Sequence, residues 1–299
     1  MPETRVRRQH YTDRMRTDFV PIAELECGVP IVVETNPSSR IATGPMLVEG
    51  AEPGDALAIA FHRVEIVGDE GAMWAIPERG LLGHHVGHLV NKKVPIREGR
   101  AWFNDRIALP LRPMVGVVGV APKPIAWPEW PPLSHVVGTS PKSGEVFTAW
   151  PSQSGGNLDC KEIVAGATVY LPVGAPGAGL CIGDIHAVMG DGELMLSGIE
   201  TLGEVEIVLS LRKGRAPRGP IVENDTHFMV VGIGKTLEAA AEDATEHMAA
   251  ILQQRLGLDL LEAGMLLSAA GDLAICQVVN AYPTVRLVVD KRVIPDLEV

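Results

Sequence analysis

The amino-acid sequence predicts an α+β fold that is predominantly β, with antiparallel or mixed sheets in a sandwich-like arrangement and a helical pair near the carboxyl terminus. The 299-residue chain contains 32 Gly and 23 Pro, a large supply of turn-forming residues. Short apolar, β-branched runs recur between turn signals, which is typical of successive strands. The hydrophobic period changes to helical spacing only after Gly234.

The first strands are predicted at residues 31–33, 46–48 and 56–66, where apolar runs alternate with turn signals such as Asn36-Pro37. Residues 114–122, with the sequence MVGVVGVAP, are almost wholly apolar. We therefore expect a buried strand there, whose glycines allow a neighbouring backbone to approach closely.

Further strands are predicted at residues 167–173 and 179–182, joined by a Gly/Pro turn into a hairpin. Residues 204–211 alternate between apolar and polar side chains, as a half-buried antiparallel strand does. Residues 228–233 form another apolar run. These segments complete the predicted β structure before the helices.

Two helices and a last strand follow. Thr236 can cap the first helix and Gly257 can end it. The second helix starts at Asp259, where Glu262 completes a capping box, and runs to about Ala270. The last strand is predicted at residues 281–289.

We predict a single domain over residues 1–299. Within it, a weak similarity between GAEPGDAL at residue 50 and GAPGAGLCIGD at residue 174 suggests two related β halves. The halves would span about 19–122 and 143–233, closed by a helical carboxyl-terminal segment at 234–299.

Composition excludes several classes of partner. The net charge is -11, and the one basic cluster, at residues 5–16, is short and interrupted by Asp13, so nucleic acid is not expected. No apolar run approaches the ~20 residues that span a bilayer, and the amino terminus does not resemble a secretory signal. Four scattered cysteines predict a reducing, cytoplasmic location. Homo-oligomerisation as a dimer is expected.

The segment GDIHAVMGDGE, residues 183–193, is the main candidate functional motif. It places Asp184, His186, Asp191 and Glu193 between three glycines. Side chains two apart in an extended chain share a face, so Asp184 and His186 should project together, as should Asp191 and Glu193. Carboxylates and an imidazole suit a divalent metal. A solvent-exposed hairpin with a polar tip is the alternative interpretation.

A second polar segment, SGGNLDCKE, covers residues 154–162. Asn157 and Asp159 should face one way in an extended chain, and the predicted hairpin would bring them to the first motif. Cys160, beside Lys161 and Glu162, offers an alternative nucleophile. Adjacent residues of a strand point to opposite faces, however, and buried cysteine is usually structural.

Three histidines cluster in the sequence GHHVGH, at His84, His85 and His88. Imidazoles at this density can belong to a metal site. No neighbouring carboxylate is present to orient the rings, so the segment is also a candidate lid or entrance lining.

The sequence resembles the acetamidase/formamidase family. The matching segments cover most of the chain and read VEGAEPGD from Val48, MVGVVGVAP from Met114, GGNLD from Gly155, ATVYLPV from Ala167, GDIHAVMGDGE from Gly183 and LLSAAGDLAICQVVN from Leu266. The resemblance implies a β-rich α+β fold and hydrolysis of small carboxamides to carboxylate and ammonia. It also implies a divalent metal, zinc at the active site and calcium elsewhere.

The same resemblance implies a set of site residues. Asp184, His186 and Glu193 match motif positions, joined by Asn157 and Asp159; Glu34 and Glu49 align with amino-terminal acidic positions. The short segment after Asn36 and the histidine cluster depart from the family pattern and bear on substrate identity.

The resulting hypothesis is a metal held by Asp159, Asp184 and His186, with Asn157 and Glu34 as further ligands. Glu193 or Glu52 acts as general base and then as proton donor to ammonia, with Asp191 as a further catalytic candidate. The alternatives are hydrolysis of a larger or substituted amide and a non-catalytic metal-binding protein.

Overall fold

A computed structural model describes residues 4–123, 144–295, 297 and 299. In this part of the chain the structure forms the strands β1 to β22 and the helices α1 and α2. The strands are β1 (Thr4–Val6), β2 (Tyr11–Thr12), β3 (Arg14–Arg16), β4 (Ala23–Leu25), β5 (Pro30–Thr35), β6 (Ala42–Val48), β7 (Ala56–Ile66), β8 (Glu70–Ala75), β9 (Val90–Arg97), β10 (Arg100–Asn104), β11 (Ile107–Pro110), β12 (Met114–Gly119), β13 (Glu145–Phe147), β14 (Gly155–Asn157), β15 (Thr168–Pro172), β16 (Leu180–His186), β17 (Glu200–Thr201), β18 (Gly203–Arg212), β19 (Ile221–Glu223), β20 (His227–Ile233), β21 (Gly271–Gln277) and β22 (Thr284–Asp290).

Two large sheets dominate the fold. The first has nine strands in the order β1-β5-β18-β7-β15-β19-β20-β22-β21. The second has eleven strands, with the order β11-β10-β9-β8-β17-β16-β12-β14 and with β6 joining β16 to β2 and β4. Almost all neighbouring strands are antiparallel, and β1–β5 and β4–β6 are parallel pairs. The predicted α+β, mainly β fold class is confirmed.

The main core combines side chains of the two sheets. Val205, Ile207 and Leu209 alternate along β18 and are fully buried, as the sequence pattern predicts. They belong to the same buried cluster as Val115 of β12 and Ile185 of β16. Because β18 lies in one sheet and β12 and β16 in the other, burial of this cluster holds the two sheets together.

The helical pair forms as predicted, since its signals are local. Helix α1 (Leu237–Leu256) begins where the Thr236 side chain accepts a hydrogen bond from the Ala239 amide, and ends at the left-handed Gly257. Helix α2 (Leu260–Ala270) begins at Asp259, with both hydrogen bonds of the capping box formed. A second buried cluster joins the helices to β20 and β22. Neither helix is long and apolar enough to cross a membrane in the described part of the chain.

The predicted hairpin of residues 167–173 and 179–182 is wrong. Strand β15 lies between β7 and β19 in the nine-stranded sheet, whereas β16 lies between β12 and β17 in the other. Both strands are almost entirely buried and find partners on both edges, and the Gly/Pro turn carries the chain from one sheet to the other. Both sheets combine strands from the ranges 19–122 and 143–233, and the division into related halves stays a prediction.

Candidate metal centre

Strand β12 brings the two polar segments together. It pairs with β14 on one side, where Val117 lies opposite Asn157, and with β16 on the other, where Met114 lies opposite His186. Asp159 follows β14 and Asp184 belongs to β16. The two segments therefore meet across a shared neighbour rather than through a hairpin.

Five ionisable side chains converge there, and we call them the carboxylate–histidine cluster. Its members are Asp159, Asp184, His186, Glu193 and Glu200. The Nε2 atom of His186 lies 3.6 Å from Oδ2 of Asp184 and 4.0 Å from Oε1 of Glu193. Ligand atoms of Asp159, His186 and Glu193 lie within 4.8 Å of one another, as do those of Asp184, His186 and Glu200. His186 belongs to both sets.

Four buried atoms at this site have no hydrogen-bond partner among the described residues. They are Oδ1 of Asn157, Oδ1 of Asp159, Oδ1 of Asp184 and Nε2 of His186. Buried polar atoms are nearly always hydrogen-bonded, because desolvation without a partner is costly. Oxygen and imidazole nitrogen donors in one buried place are the ligand set that a divalent cation takes, so these residues fit a metal.

Burial dominates the electrostatics of the cluster. It raises the pKa of Asp159 to about 6 and that of Glu200 to about 8. Burial and the neighbouring carboxylates raise the pKa values of Asp184 and Glu193 well above their usual range. Burial also lowers the pKa of His186 to about 4, so the imidazole is neutral at pH 7. Among the described residues no Lys or Arg forms an ion pair with these carboxylates.

The backbone is strained at three of the five cluster residues. Seven described non-glycine residues have positive φ, and these include Asp159 at 45°, Asp184 at 60° and Glu193 at 45°. Such conformations cost roughly 1–3 kcal/mol each and persist where the surrounding structure imposes them, often at functional sites. The strain therefore supports a functional interpretation of this place in the fold.

Neighbouring groups orient the cluster. Nδ1 of His186 lies 3.1 Å from Sδ of Met114. Because the thioether has no proton to donate, this contact places the imidazole proton on Nδ1 and leaves the Nε2 lone pair facing the cluster. The Asn280 amide donates to Oδ2 of Asp159 at 2.7 Å, and the Gly198 amide donates to Oε1 of Glu193 at 3.0 Å.

Gly116 of β12 makes room for two of the carboxylates. A Cβ atom at this position would lie 2.7 Å from Oδ1 of Asp159 and 2.9 Å from Oδ2 of Asp184. Any larger residue would displace one or both oxygens. At Gly119 of the same strand a Cβ atom would lie 2.6 Å from the backbone N of Gly156, so the predicted close approach of a neighbouring backbone is confirmed.

Asp191 does not join the cluster. It accepts hydrogen bonds of 2.7 and 3.0 Å from Arg286, and Lys161 lies 2.7 Å away. The expectation that Asp191 and Glu193 share a face fails because Gly192 and Glu193 have positive φ, which breaks the extended geometry.

Glu34 and Glu52 also lie outside the cluster. The Glu34 carboxylate contacts Arg7 at 2.9 Å and Arg8 at 3.5 Å. Glu52 is exposed in a turn, and its backbone amide donates a hydrogen bond to Oδ2 of Asp55. Neither residue belongs to a group of potential metal ligands among the described residues.

Cys160, the alternative nucleophile, and the histidines of the GHHVGH segment also lie outside the carboxylate–histidine cluster. The Cys160 thiol is fully buried, and contact with Cys276 lowers its pKa. Its neighbour Lys161 pairs with Asp191. His84, His85 and His88 are exposed, the first two in a short 3-10 helix.

Sequence reasoning missed Glu200 and Asn280. Glu200 lies opposite His186 across the β16–β17 pair, and Asn280 follows β21. Each is brought to the cluster by pairing between distant parts of the chain. Asn280 does end the segment LLSAAGDLAICQVVN, which is one of those carrying the family resemblance.

Comparison with known proteins decides the family. The crystal structure of an acetamidase from Bacillus halodurans shares 36% sequence identity, covers 99% of this chain and 100% of its own, and superposes with a TM-score of 0.87. The chain belongs to the acetamidase/formamidase family. The family model itself matches residues 142–290. The resemblance expected from the sequence is thereby confirmed.

Other members of the family extend the comparison. The structure of a predicted acetamidase/formamidase from Thermoanaerobacter tengcongensis is 29% identical, covers 99% of this chain and 98% of its own, and has a TM-score of 0.88. A formamidase from Methylophilus methylotrophus is 27% identical over 212 residues, which are 57% of this chain and 51% of that protein. The chain thus spans about half the length of the curated relatives it matches.

Proposed function

We propose that this protein is a metal-dependent amidohydrolase that cleaves a small carboxamide, of the formamide or acetamide type, to a carboxylate and ammonia. Relatives named acetamidase and formamidase support the reaction class. The observation that supports the proposal most directly is a set of four potential metal-ligand atoms, in and beside the carboxylate–histidine cluster, that are buried without a hydrogen-bond partner.

Asp159, Asp184 and His186 would hold the metal, with Asn157 beside them. Zinc is the cation we propose, since neutral imidazole and carboxylate are its usual non-thiolate ligands. A bound divalent cation supplies a Lewis acid that polarises the amide carbonyl and lowers the pKa of water toward ~7.

Glu193 is the residue we assign to proton transfer. Its carboxylate lies 4.0 Å from Nε2 of His186 and is fixed by the Gly198 amide. A cation bound by the cluster would offset the neighbouring negative charges that raise the pKa of Glu193, so that its carboxylate is ionised. As water adds to the amide carbon, this carboxylate takes the proton of the attacking water. It then donates that proton to the nitrogen as the C–N bond breaks, which releases ammonia.

The other residues of the site position these groups. Asn280 orients Asp159 through its 2.7 Å hydrogen bond, and Met114 selects the His186 tautomer. Glu200 adds a further carboxyl group whose raised pKa lets it hold a proton near neutral pH.

Ammonia release from formamide, acetamide and propionamide tests the proposal. Turnover should disappear on chelation and return with zinc. Glu193→Gln should lose about 10²–10⁴-fold in turnover while keeping its metal, the range for a removed general base. Glu52→Gln is the matched control, because Glu52 is exposed and should leave turnover unchanged.

The outcomes separate the alternatives. Turnover that survives chelation would overturn metal dependence, and full activity in Glu193→Gln with loss in Glu52→Gln would reverse the assignment of the base. A metal-loaded protein active only on propionamide or larger amides would favour a substituted substrate. Metal binding without turnover of any amide would favour a non-catalytic protein.

A homodimer, a cytoplasmic location and a calcium ion elsewhere in the protein stay predictions of the sequence. The four cysteines are all free, in keeping with a reducing compartment. Exposed Leu261 and Met265 on α2, with Leu273 on the edge strand β21, offer apolar surface to a second copy. Sedimentation at micromolar concentration measures the assembly directly.

A further inference from the structure

A cavity of about 410 Å³ lies beside helix α1, at a site formed by none of the cluster residues. Its walls come from residues 214–218 and Ile221, which follow β18, from one face of α1 and from Val299. Volumes of this size are typical of sites for small organic ligands. The cavity is therefore a candidate for a second binding site.

One side of the cavity is cationic. Arg215, Arg218 and Arg255 all line it, in a chain whose net charge is -11. Arg218 forms ion pairs with Asp243 at 2.8 Å and with Glu246 at 3.0 Å. Arg215 forms no ion pair within the described residues. Guanidinium groups collected in a concave surface are suited to bidentate binding of a carboxylate or phosphate.

A buried histidine lines the same cavity. His247 is 4% exposed, and the described residues provide no hydrogen-bond partner for its side chain. Burial lowers its pKa to about 4, and Arg218 adds to that effect against the opposing charge of Asp243. At pH 7 the ring is neutral and carries one N–H donor. A ligand oxygen in the cavity that His247 lines can accept a hydrogen bond from this donor.

The remaining wall is apolar. Ile221 is 2% exposed, and Ala250 and Ile251 continue the surface along α1. His247, Ile251 and Gln254 share one helix face, because they are spaced four and three residues apart. The cavity thus presents guanidinium groups and a histidine donor next to a small apolar surface.

We propose that this cavity binds a small organic anion, with its carboxylate or phosphate group at Arg215 and Arg218 and its apolar part against Ile221 and Ile251. The ligand accepts a hydrogen bond from His247. The site is independent of the metal centre, and its occupation does not require the amidase reaction.

Titration calorimetry on the full chain with butyrate, butyl phosphate and inorganic phosphate tests the proposal, with butylamine as the cationic control. Histidine C2–H resonances are followed in the same titrations, with the His247 signal assigned from His247→Gln. Saturable binding that shifts the His247 resonance is expected for at least one anion. Butyrate alone would identify a carboxylate site, and the two phosphates alone a phosphate site.

Arg215→Gln should weaken anion binding at least about 10-fold, which is the effect of losing one charge-assisted hydrogen bond. Arg106→Gln removes an exposed arginine outside the cavity and should leave the affinity unchanged. Both variants should keep full amide turnover without added anion, since neither residue lies in the metal centre. Absence of saturable anion binding, an unmoved His247 signal, or equal weakening in both variants would overturn the proposal.

Discussion

Two sets of acidic residues in this protein differ in whether Lys or Arg lies beside them. Glu34 has Arg7 and Arg8, and Asp191 has Arg286 and Lys161. Although burial opposes it, hydrogen bonds and these cations lower the pKa of both carboxylates. Among the described residues, the only basic side chain that contacts the cluster carboxylates is the neutral His186, and burial raises the pKa values of Asp184 and Glu193.

The difference distinguishes acids whose charge is balanced within the fold from acids that we propose as metal ligands. An ion pair between protein groups satisfies a carboxylate within the fold itself. Several carboxylates buried together without Lys or Arg are costly, and a divalent cation removes that cost by supplying positive charge. The comparison supports the proposed metal binding by the cluster and predicts a stabilising role for Glu34 and Asp191.

Replacing His186 should have the largest effect. His186→Ala removes the residue shared by both ligand sets and should abolish zinc binding, with turnover reduced on the order of 10³-fold, equivalent to about 4 kcal/mol in the barrier. Glu34→Gln should keep zinc and turnover but unfold at lower temperature. Metal analysis and ammonia release on both variants check this. Zinc retained in His186→Ala would contradict the proposal that the cluster binds the metal.

Gly116→Ala tests the geometry of the cluster without changing its charge. The added methyl group would crowd Oδ1 of Asp159 and Oδ2 of Asp184, so zinc affinity should fall about 10–100-fold. Gly264→Ala is the control: it lies in α2 with no atom within 4 Å of its Cβ position. It should stabilise the protein by about 0.5–1 kcal/mol. Equal zinc affinity in both variants would contradict the prediction.

Asp191→Asn should separate stability from metal binding. It removes the main partner of Arg286, a residue only 5% exposed, and should cost about 2 kcal/mol of unfolding free energy. Zinc content should not change. Asp290→Asn, which breaks a pair with the exposed Arg292, should change the unfolding free energy far less than Asp191→Asn in the same urea titration. Loss of zinc in Asp191→Asn would place Asp191 with the cluster after all.

The pH dependence of stability should differ in sign between the two sets. The pKa of Glu200 is raised from 4.5 to about 8, so the folded state holds this proton while the unfolded state releases it. Stability of the chelated protein should therefore fall as pH rises through this window, by at most about 1.4 kcal/mol per pH unit for this group. Glu34, whose pKa is lowered, instead contributes stability that is lost as pH falls.

Urea unfolding between pH 4.5 and 8 measures this slope. Glu200→Gln should make the slope shallower, because Asp159, Asp184 and Glu193 still contribute. Saturating zinc should reverse it, because a cation competes with protons for the carboxylates of the cluster. If zinc leaves the slope of unfolding free energy against pH unaltered, the cluster carboxylates do not bind the metal.

Much of the fold could be predicted because its signals are local. The alternation at residues 204–211 gave the buried face of β18, and the capping residues Thr236 and Asp259 set the starts of both helices. The hairpin assigned to residues 167–173 and 179–182 failed, since apolar runs do not specify the sheet in which each strand finds its partners. The same limit hid the pairing that brings Glu200 to His186.

The family, the α+β class and the spacing that sets Asp184 beside His186 could all be predicted from the amino-acid sequence. Those features depend on residue identity and on neighbours a few positions apart. Which acids form ion pairs with Arg or Lys depends on tertiary contacts. Arg286 lies 95 residues from Asp191 and Arg7 lies 27 residues from Glu34, distances along the chain that no local pattern spans. Asp184 and Glu193 differ from those acids only in what the fold places next to them.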